Sequence, residues 1–289
     1  MKVLITGKGG QLGWELLQNV PADIECIGLD SKELDITNKH LIQQVVAQYQ
    51  PDVVINTAAY TAVDKAETDQ EQAYAVNETG AKELALICKS NNIRLLHVST
   101  DFVFDGTKNT PYQTTDQTHP ISVYGASKLA GDIAVMDTLP HAVIVRTAWV
   151  YSENGNNFVK TMLRLMAEKP SLNVVYDQVG TPTWAAGLAA WLWAIVQQPH
   201  VCGLYHWTDA GVASWYDFAI AIQELAIEKG MLKKSIPISP IPASQYPTPA
   251  KRPAFSVIDK SSAESVSGLQ TVHWRKQLSS MLDTLKAHQ

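Results

Sequence analysis

The sequence predicts an α/β protein: a doubly wound parallel sheet with a smaller C-terminal α/β lobe. Two observations carry that reading. Short apolar runs alternate with amphipathic stretches through the first half of the 289-residue chain, the rhythm of right-handed βαβ crossovers. The first apolar run, with Val3-Leu4-Ile5 at its heart, also leads directly into Gly7-Lys8-Gly9-Gly10-Gln11-Leu12-Gly13, a glycine-rich strand-to-helix turn of the Rossmann type.

The individual elements follow from their residues. Stretches 3–5, 24–29, 53–55, 95–98, 143–145 and 172–175 are short apolar runs of strand length. Stretches 11–20, 38–49, 70–90, 123–138, 158–167 and 185–197 read as helices. The longest apolar segment, 184–196, is too short to span a bilayer and reads as a buried helix. Past residue 200 the rhythm changes. Residues 215–229 read as a helix, 235–252 as a loop carrying Pro237, Pro240, Pro242, Pro247 and Pro249, and 274–287 as a closing helix. These readings divide the chain into a dinucleotide-binding part, 1–150, to which roughly 171–200 returns, and a substrate-binding lobe, 151–289.

Composition narrows the function classes. Net charge is −5 and no Lys/Arg run exceeds two residues, which argues against nucleic-acid and anionic-membrane partners. Cys26, Cys88 and Cys202 are scattered and lack Cys-x-x-Cys spacing, so neither a disulfide framework nor a zinc site is expected. The N-terminus begins with strand and turn, leaving no room for a signal peptide. The expectation is a soluble, cytoplasmic protein.

Ligands of such sheets bind beyond the carboxyl ends of the strands, where Asn56-Thr57-Ala58-Ala59, Ser99-Thr100-Asp101 and Arg146-Thr147 fall. Gly7 suits the tight turn, Gly10 lets a pyrophosphate approach the backbone, and Gly13 lets the helix sit close. Asp30 ends the second strand, placed to accept hydrogen bonds from an adenosine ribose diol. A carboxylate there repels a 2′-phosphate, so NADH is expected to be preferred and NADPH tolerated.

Tyr124-Gly125-Ala126-Ser127-Lys128 is the second motif. Residues four apart share a helix face, so phenol and ammonium point into the same space. A nearby cation would draw the phenol down from its ordinary value near ~10 towards useful acid–base work. Ser99 or Thr100 would then supply a hydroxyl to polarise a carbonyl.

With these blocks in place the chain resembles the extended, nucleotide-sugar-modifying branch of the short-chain dehydrogenase/reductase superfamily. Within it, the closer likeness is to the reductases that complete dTDP-L-rhamnose synthesis. The segments carrying the likeness are 7–13, 56–67, Val76-Asn77, 99–106, 124–128, 146–151, 180–183 and Arg252-Pro253. The resemblance implies a catalytic set of Thr100, Tyr124 and Lys128 that reduces the C4 keto group of a dTDP-6-deoxyhexose with NADH or NADPH. It implies cofactor contacts at Gln11, Leu12, Asp30, Asp35, Ile36, Ala59, Tyr60 and Thr61, joining Gly7, Gly10, Gly13, Ala58 and Ser99. Asp101 and Trp149 would line the sugar, and Arg252 is the phosphate candidate, because a guanidinium pairs with phosphate in a fork. Phe102 departs from the usual Tyr and removes a hydroxyl near the cofactor. A nucleotide-sugar epimerase or dehydratase, or a non-catalytic regulatory subunit, would share much of this pattern.

Some members of the family are bridged into dimers by a metal held by clustered glutamates. Glu15 is present here, but Ala186 and Thr284 fill the matching acidic places. A lone carboxylate on an exposed helix does not make the near-octahedral oxygen set that Mg²⁺ needs, and a place in the first turns of a helix suits a carboxylate without any ligand. No metal is expected, and the chain is expected to be a monomer or weak homodimer. Trp191 and Trp193 are assigned to packing, Cys88 and Cys202 to inert positions, and His97 to a satisfied, half-buried strand position. Nothing in the spacing of His206 and Asp209 requires a role.

Overall fold

A computed structural model describes residues 1–288. The chain runs β1 (Lys2–Thr6), α1 (Gln11–Gln18), β2 (Glu25–Leu29), α2 (Lys39–Tyr49), β3 (Val53–Asn56), α3 (Val63–Ala66), α4 (Gln70–Tyr74), α5 (Ala81–Ser90), β4 (Arg94–Thr100), α6 (Val123–Thr138) and β5 (Val143–Thr147). It continues through β6 (Val150–Tyr151), α7 (Phe158–Glu168), β7 (Leu172–Val175), β8 (Val179–Gly180), β9 (Thr183–Trp184), α8 (Ala185–Val196), β10 (Gly203–His206), β11 (Ala213–Ser214), α9 (Trp215–Glu228), β12 (Ile238–Ile241), α10 (Ser261–Ser267) and α11 (Trp274–Ala287).

Six parallel strands form the central sheet in the order β10-β5-β4-β3-β1-β2. The period of two sorts their side chains into two layers. Val3, Ile5, Val53, Ile55, Leu96, Val143 and Val145 pack against α1 and α8 through Leu16, Leu188, Trp191 and Leu192. Leu4, Val54, Leu95 and Ile144 face the opposite layer, where Ile42, Leu84 and Val135 come from α2, α5 and α6. Strands buried on both faces read as the continuous apolar runs seen in the sequence. A separate core of Val159, Met162, Phe218, Ile222, Leu278 and Leu282 joins α7, α9 and α11. Trp191 and Trp193 are both core residues, their indole N–H groups donating to the carbonyls of Ala263 and Leu16.

Four expectations are corrected. The 172–175 strand does not enter the central sheet but pairs, in parallel, with β12. Residues 235–252 are consequently more than a loop, since β12 lies within them; a two-stranded edge tolerates Pro240 because only one side of the ladder is used. The sixth strand is β10, whose four residues are mostly half-buried and give no apolar run. The 70–90 helix is real but broken by a π-helical turn over Ala75–Gly80.

Candidate active site

The strand order reverses between β1 and β3, and the glycine turn occupies that switch point. Gly7 has φ +73°, and a Cβ on it would stand 2.9 Å from the Ala58 backbone N. A Cβ on Gly13 would stand 2.4 Å from the Gly7 carbonyl oxygen, so the helix packs on the turn itself. Side chains of Asn38, Ser122, Asn157 and Ser214 cap α2, α6, α7 and α9. Gly10, the cap of α1, offers no side-chain acceptor. Helix α1 therefore presents its first N–H groups, which begin at Gln11 and Leu12, without a side-chain cap, the arrangement that fits a pyrophosphate.

Asp30 lies at the end of β2. Its Oδ1 accepts the Lys32 and Glu33 amides at 2.8 and 3.2 Å, and the Lys32 amide above all holds this carboxyl below the usual range. Asp35 is exposed and ties Thr37, whereas Ile36 is buried in the sheet's second layer. Any contact Ile36 makes with a cofactor must therefore come through its backbone. The strand end at β3 is braced from below. The Thr6 hydroxyl donates to Asn56 Oδ1 at 2.6 Å, the Ala58 amide donates to the same oxygen, and Asn56 Nδ2 donates to His97 Nδ1 at 3.0 Å. His97 is fully buried rather than half-buried, its Nε2 has no partner among the described residues, and burial drives its pKa far down, leaving it neutral. Asn77 bonds both backbone groups of Tyr60 and the Ser127 hydroxyl, tying 58–61, including Ala59 and Thr61, to α6. The Val76-Asn77 block was the visible signal for this brace.

Thr100 and Tyr124 meet above β4. Burial pushes the Tyr124 phenol up to about 12, and the Thr100 hydroxyl pulls the other way. Burial thus outweighs any lowering of the phenol by Lys128. Lys128 is 2% exposed and donates to the Val98 carbonyl at 2.7 Å, and burial lowers it to about 8. Helix α6 comes so close to the strand end that a Cβ on Gly125 would stand 2.2 Å from the Phe102 carbonyl oxygen. The Phe102 ring packs edge-on against Tyr124, centroids 5.6 Å apart. Asp101 is buried, accepts from the Thr100 hydroxyl at 3.1 Å, and is pushed up to about 7 by burial. Ser99 is buried at the same strand end.

The opposite wall is aromatic. Trp149 has φ +48°, a strained conformation for a bulky residue and one that concentrates at functional sites. Its ring stacks on Trp215 at 3.5 Å and covers Gly180. Trp215 carried no sequence signal, because its partner lies 66 residues away. Beyond it opens a cavity of about 560 Å³ lined by Phe158, Met162, Gln178, Trp215, Tyr246 and Arg252 among others. Arg252 is not a free phosphate ligand: it makes a fork with Asp64, at 3.0 and 2.8 Å, and also binds Thr248 and the Ala250 carbonyl.

Glu15 is the other correction. It is buried, not exposed, because the loop after β6 folds over α1. The Ser152 hydroxyl donates to it at 2.8 Å, and the Trp184 indole N–H lies between it and Glu153, at 3.2 and 3.3 Å. Burial, reinforced by Glu153, raises Glu15 to about 8. Among the described residues no cluster of three or more His, Cys, Asp or Glu side chains is arranged to hold a metal, and no helix is long and apolar enough to cross a membrane.

A family model described as the RmlD substrate binding domain matches residues 1–287. The chain belongs to that family. It is 43% identical to the dTDP-4-dehydrorhamnose reductase of Aggregatibacter actinomycetemcomitans over 284 residues, covering 96% of this chain and 97% of that one. Among solved structures it matches the dTDP-4-dehydrorhamnose reductase of Clostridium acetobutylicum with a TM-score of 0.93 and 40% identity, over 99% and 100% of the two chains. The Bacillus anthracis dTDP-4-dehydrorhamnose reductase in complex with NADP gives a TM-score of 0.93 at 35% identity, over 98% and 99%. The fold of this RmlD-family chain is Rossmann-type, as the sequence predicted.

Proposed function

We propose that the protein reduces the C4 keto group of dTDP-4-dehydro-6-deoxy-L-mannose to give dTDP-L-rhamnose, with NADH or NADPH, in nucleotide-sugar synthesis for a cell-surface polysaccharide such as lipopolysaccharide. The observation that carries the reading is the meeting of Thr100 and Tyr124 at the end of β4 with buried Lys128 one turn along α6. When bound, the nicotinamide supplies a hydride. The protein's own part is to orient and protonate. The Thr100 hydroxyl, turning its hydrogen from Asp101, hydrogen-bonds the keto oxygen, and Tyr124 gives that oxygen its proton as negative charge builds on it. A phenol held near 12 is a strong enough donor only towards such a basic alkoxide. Lys128 carries positive charge behind the phenol and opposes the charge the phenol acquires.

Gly7, Gly10, Gln11, Leu12 and Gly13 would hold the pyrophosphate, Asp30 the adenosine ribose, and Ala58, Ala59, Tyr60, Thr61 and Ser99 the remaining edge. Residues 1–150, joined by α8 and β10 from later in the chain, would form the cofactor half and the rest of 151–289 the substrate lobe, with Trp149 and Asp101 against the sugar and the 560 Å³ cavity for the nucleotide. Arg252 would meet the diphosphate only by exchanging Asp64 for it. The protein would act in the cytoplasm as a monomer or weak homodimer, with no metal. Mixing it with NADH and the keto-sugar nucleotide should bleach the nicotinamide absorbance. Tyr124→Phe should lose at least about a hundredfold in kcat while keeping cofactor affinity. A variant with near-normal turnover removes Tyr124 from the reaction.

A further inference from the structure

Lys128, Asp132 and Arg146 lie together behind the site, 2%, 4% and 4% exposed. Asp132 is one helical turn beyond Lys128 on α6. Arg146, from β5, donates Nε to Asp132 Oδ2 at 3.1 Å, and its guanidinium lies over the Phe104 ring, 5.5 Å from the centroid. The pair is incompletely bonded: Asp132 Oδ1 and Arg146 Nη1 have no partner among the described residues. A buried ion pair with unmet hydrogen bonds is worse for stability than well-packed apolar residues of the same volume. Its presence one turn from the reacting groups calls for a reason other than stability.

Charge supplies one. Burial pulls Lys128 down, and Asp132 is the group that opposes it. Burial pushes Asp132 up, and Arg146 and then Lys128 hold it back. The other titratable groups around Lys128 cannot take over this task. His97 on β4 is neutral. Asp101 lies on the Tyr124 side, where its charge, once ionised, acts on the phenol. Glu67 is engaged at the other end of α6, accepting the Val123 amide.

We propose that Asp132, paired with Arg146, is a positioning residue that keeps Lys128 an ammonium in the working pH range. The proposal rests on Tyr124 and Lys128 being the reacting pair. With Asp132 neutralised, Lys128 loses the negative charge that opposes its burial and becomes an amine at a lower pH, and the phenol loses its cation.

The test is the pH profile of kcat/KM for Asp132→Asn, read beside a thermal melt. The alkaline limb should move down by about one unit, costing about fivefold at pH 8 and almost nothing at pH 6, with Asp132→Glu restoring the original limb. If Asp132→Asn does not fold, Asp132→Ser, which leaves space for water beside Arg146, reads the same limb. A folded variant whose limb is unmoved, or whose activity falls equally at every pH, overturns the proposal. Tyr124→Phe and Lys128→Met run alongside. If both keep near-normal turnover, the reading beneath it has failed. If both lose turnover and the Asp132 limb stays put, only this inference has failed.

Discussion

The two walls of the cleft are built on opposite plans. The wall formed by β4, β5 and α6 is polar, buried and cross-braced: Thr100, Asp101, Lys128, Asp132 and Arg146 are all 5% exposed or less. The wall formed by the lobe is aromatic and half-buried, a Trp149–Trp215 stack closed at its rim by an Asp64–Arg252 pair with side chains 42% and 23% exposed. Proton transfer needs fixed distances and little water, which suits the first wall. Admitting and releasing a large nucleotide ligand needs a surface that can open, which suits the second.

Substitutions can break that contrast at either wall. The largest effect is expected from Gly125→Ala, which sets a methyl 2.2 Å from the Phe102 carbonyl oxygen, a backbone atom with no freedom to retreat. Overpacking of this kind should destabilise by roughly 3 kcal/mol or more, read as a lowered urea midpoint. A wild-type midpoint would mean the first wall is not rigid. Trp215→Ala should cost about 2 kcal/mol and raise KM for the sugar nucleotide about tenfold while leaving KM for the nicotinamide cofactor unchanged. Equal rises in both constants would break the assignment of this wall to substrate.

Asp101 sharpens the contrast through pH. Its folded pKa, about 7, stands above the ordinary value of 3.8. The neutral carboxyl's stabilising contribution is therefore complete below about pH 4 and is lost as pH rises through 7. Asp101→Asn stays neutral, so it should gain on wild type by on the order of 1–2 kcal/mol between pH 5 and pH 8. Urea midpoints at the two pH values decide it, and a constant difference would show the carboxyl is not held neutral. The smallest effect belongs to Asp64→Ala. An exposed pair contributes about 0.5 kcal/mol, so stability should barely change, while KM for the sugar nucleotide should drop once Arg252 is released to the diphosphate. A raised KM would mean that Arg252 needs Asp64 to hold its place.

What the sequence made legible follows the same division. Strands buried on both faces write themselves as apolar runs, and so β1, β3, β4 and β5 were readable; β2, at the sheet edge and mostly half-buried, was readable because 24–29 is still largely apolar. The glycine turn and the 124–128 segment were readable because their chemistry is local, confined to seven and five consecutive residues. Strand β10 escaped because its short, mostly half-buried stretch gives no continuous apolar run, and β12 because Pro240 and the prolines flanking it resemble a loop. Contacts set by tertiary distance left no trace: Arg252 and Asp64 are 188 residues apart, and Glu15 meets Ser152 across 137. Lys128 shows the limit of helical spacing. Four residues bring it onto the face of Tyr124, but where its ammonium points is decided by the Val98 carbonyl of another element.

The late position of β10 also has a consequence for synthesis. Its four residues complete the sheet beside β5 only after 202 others have been made, and Arg94 on β4 ties into the same region through the carbonyls of Ile195 and Val201. A nascent chain that stops near residue 150 holds the whole glycine turn, yet it presents Val143, Ile144 and Val145 as a bare, apolar strand edge. Such an edge recruits other chains. Residues 1–150 are therefore not a detachable module. A fragment cut at that boundary should aggregate rather than bind nucleotide.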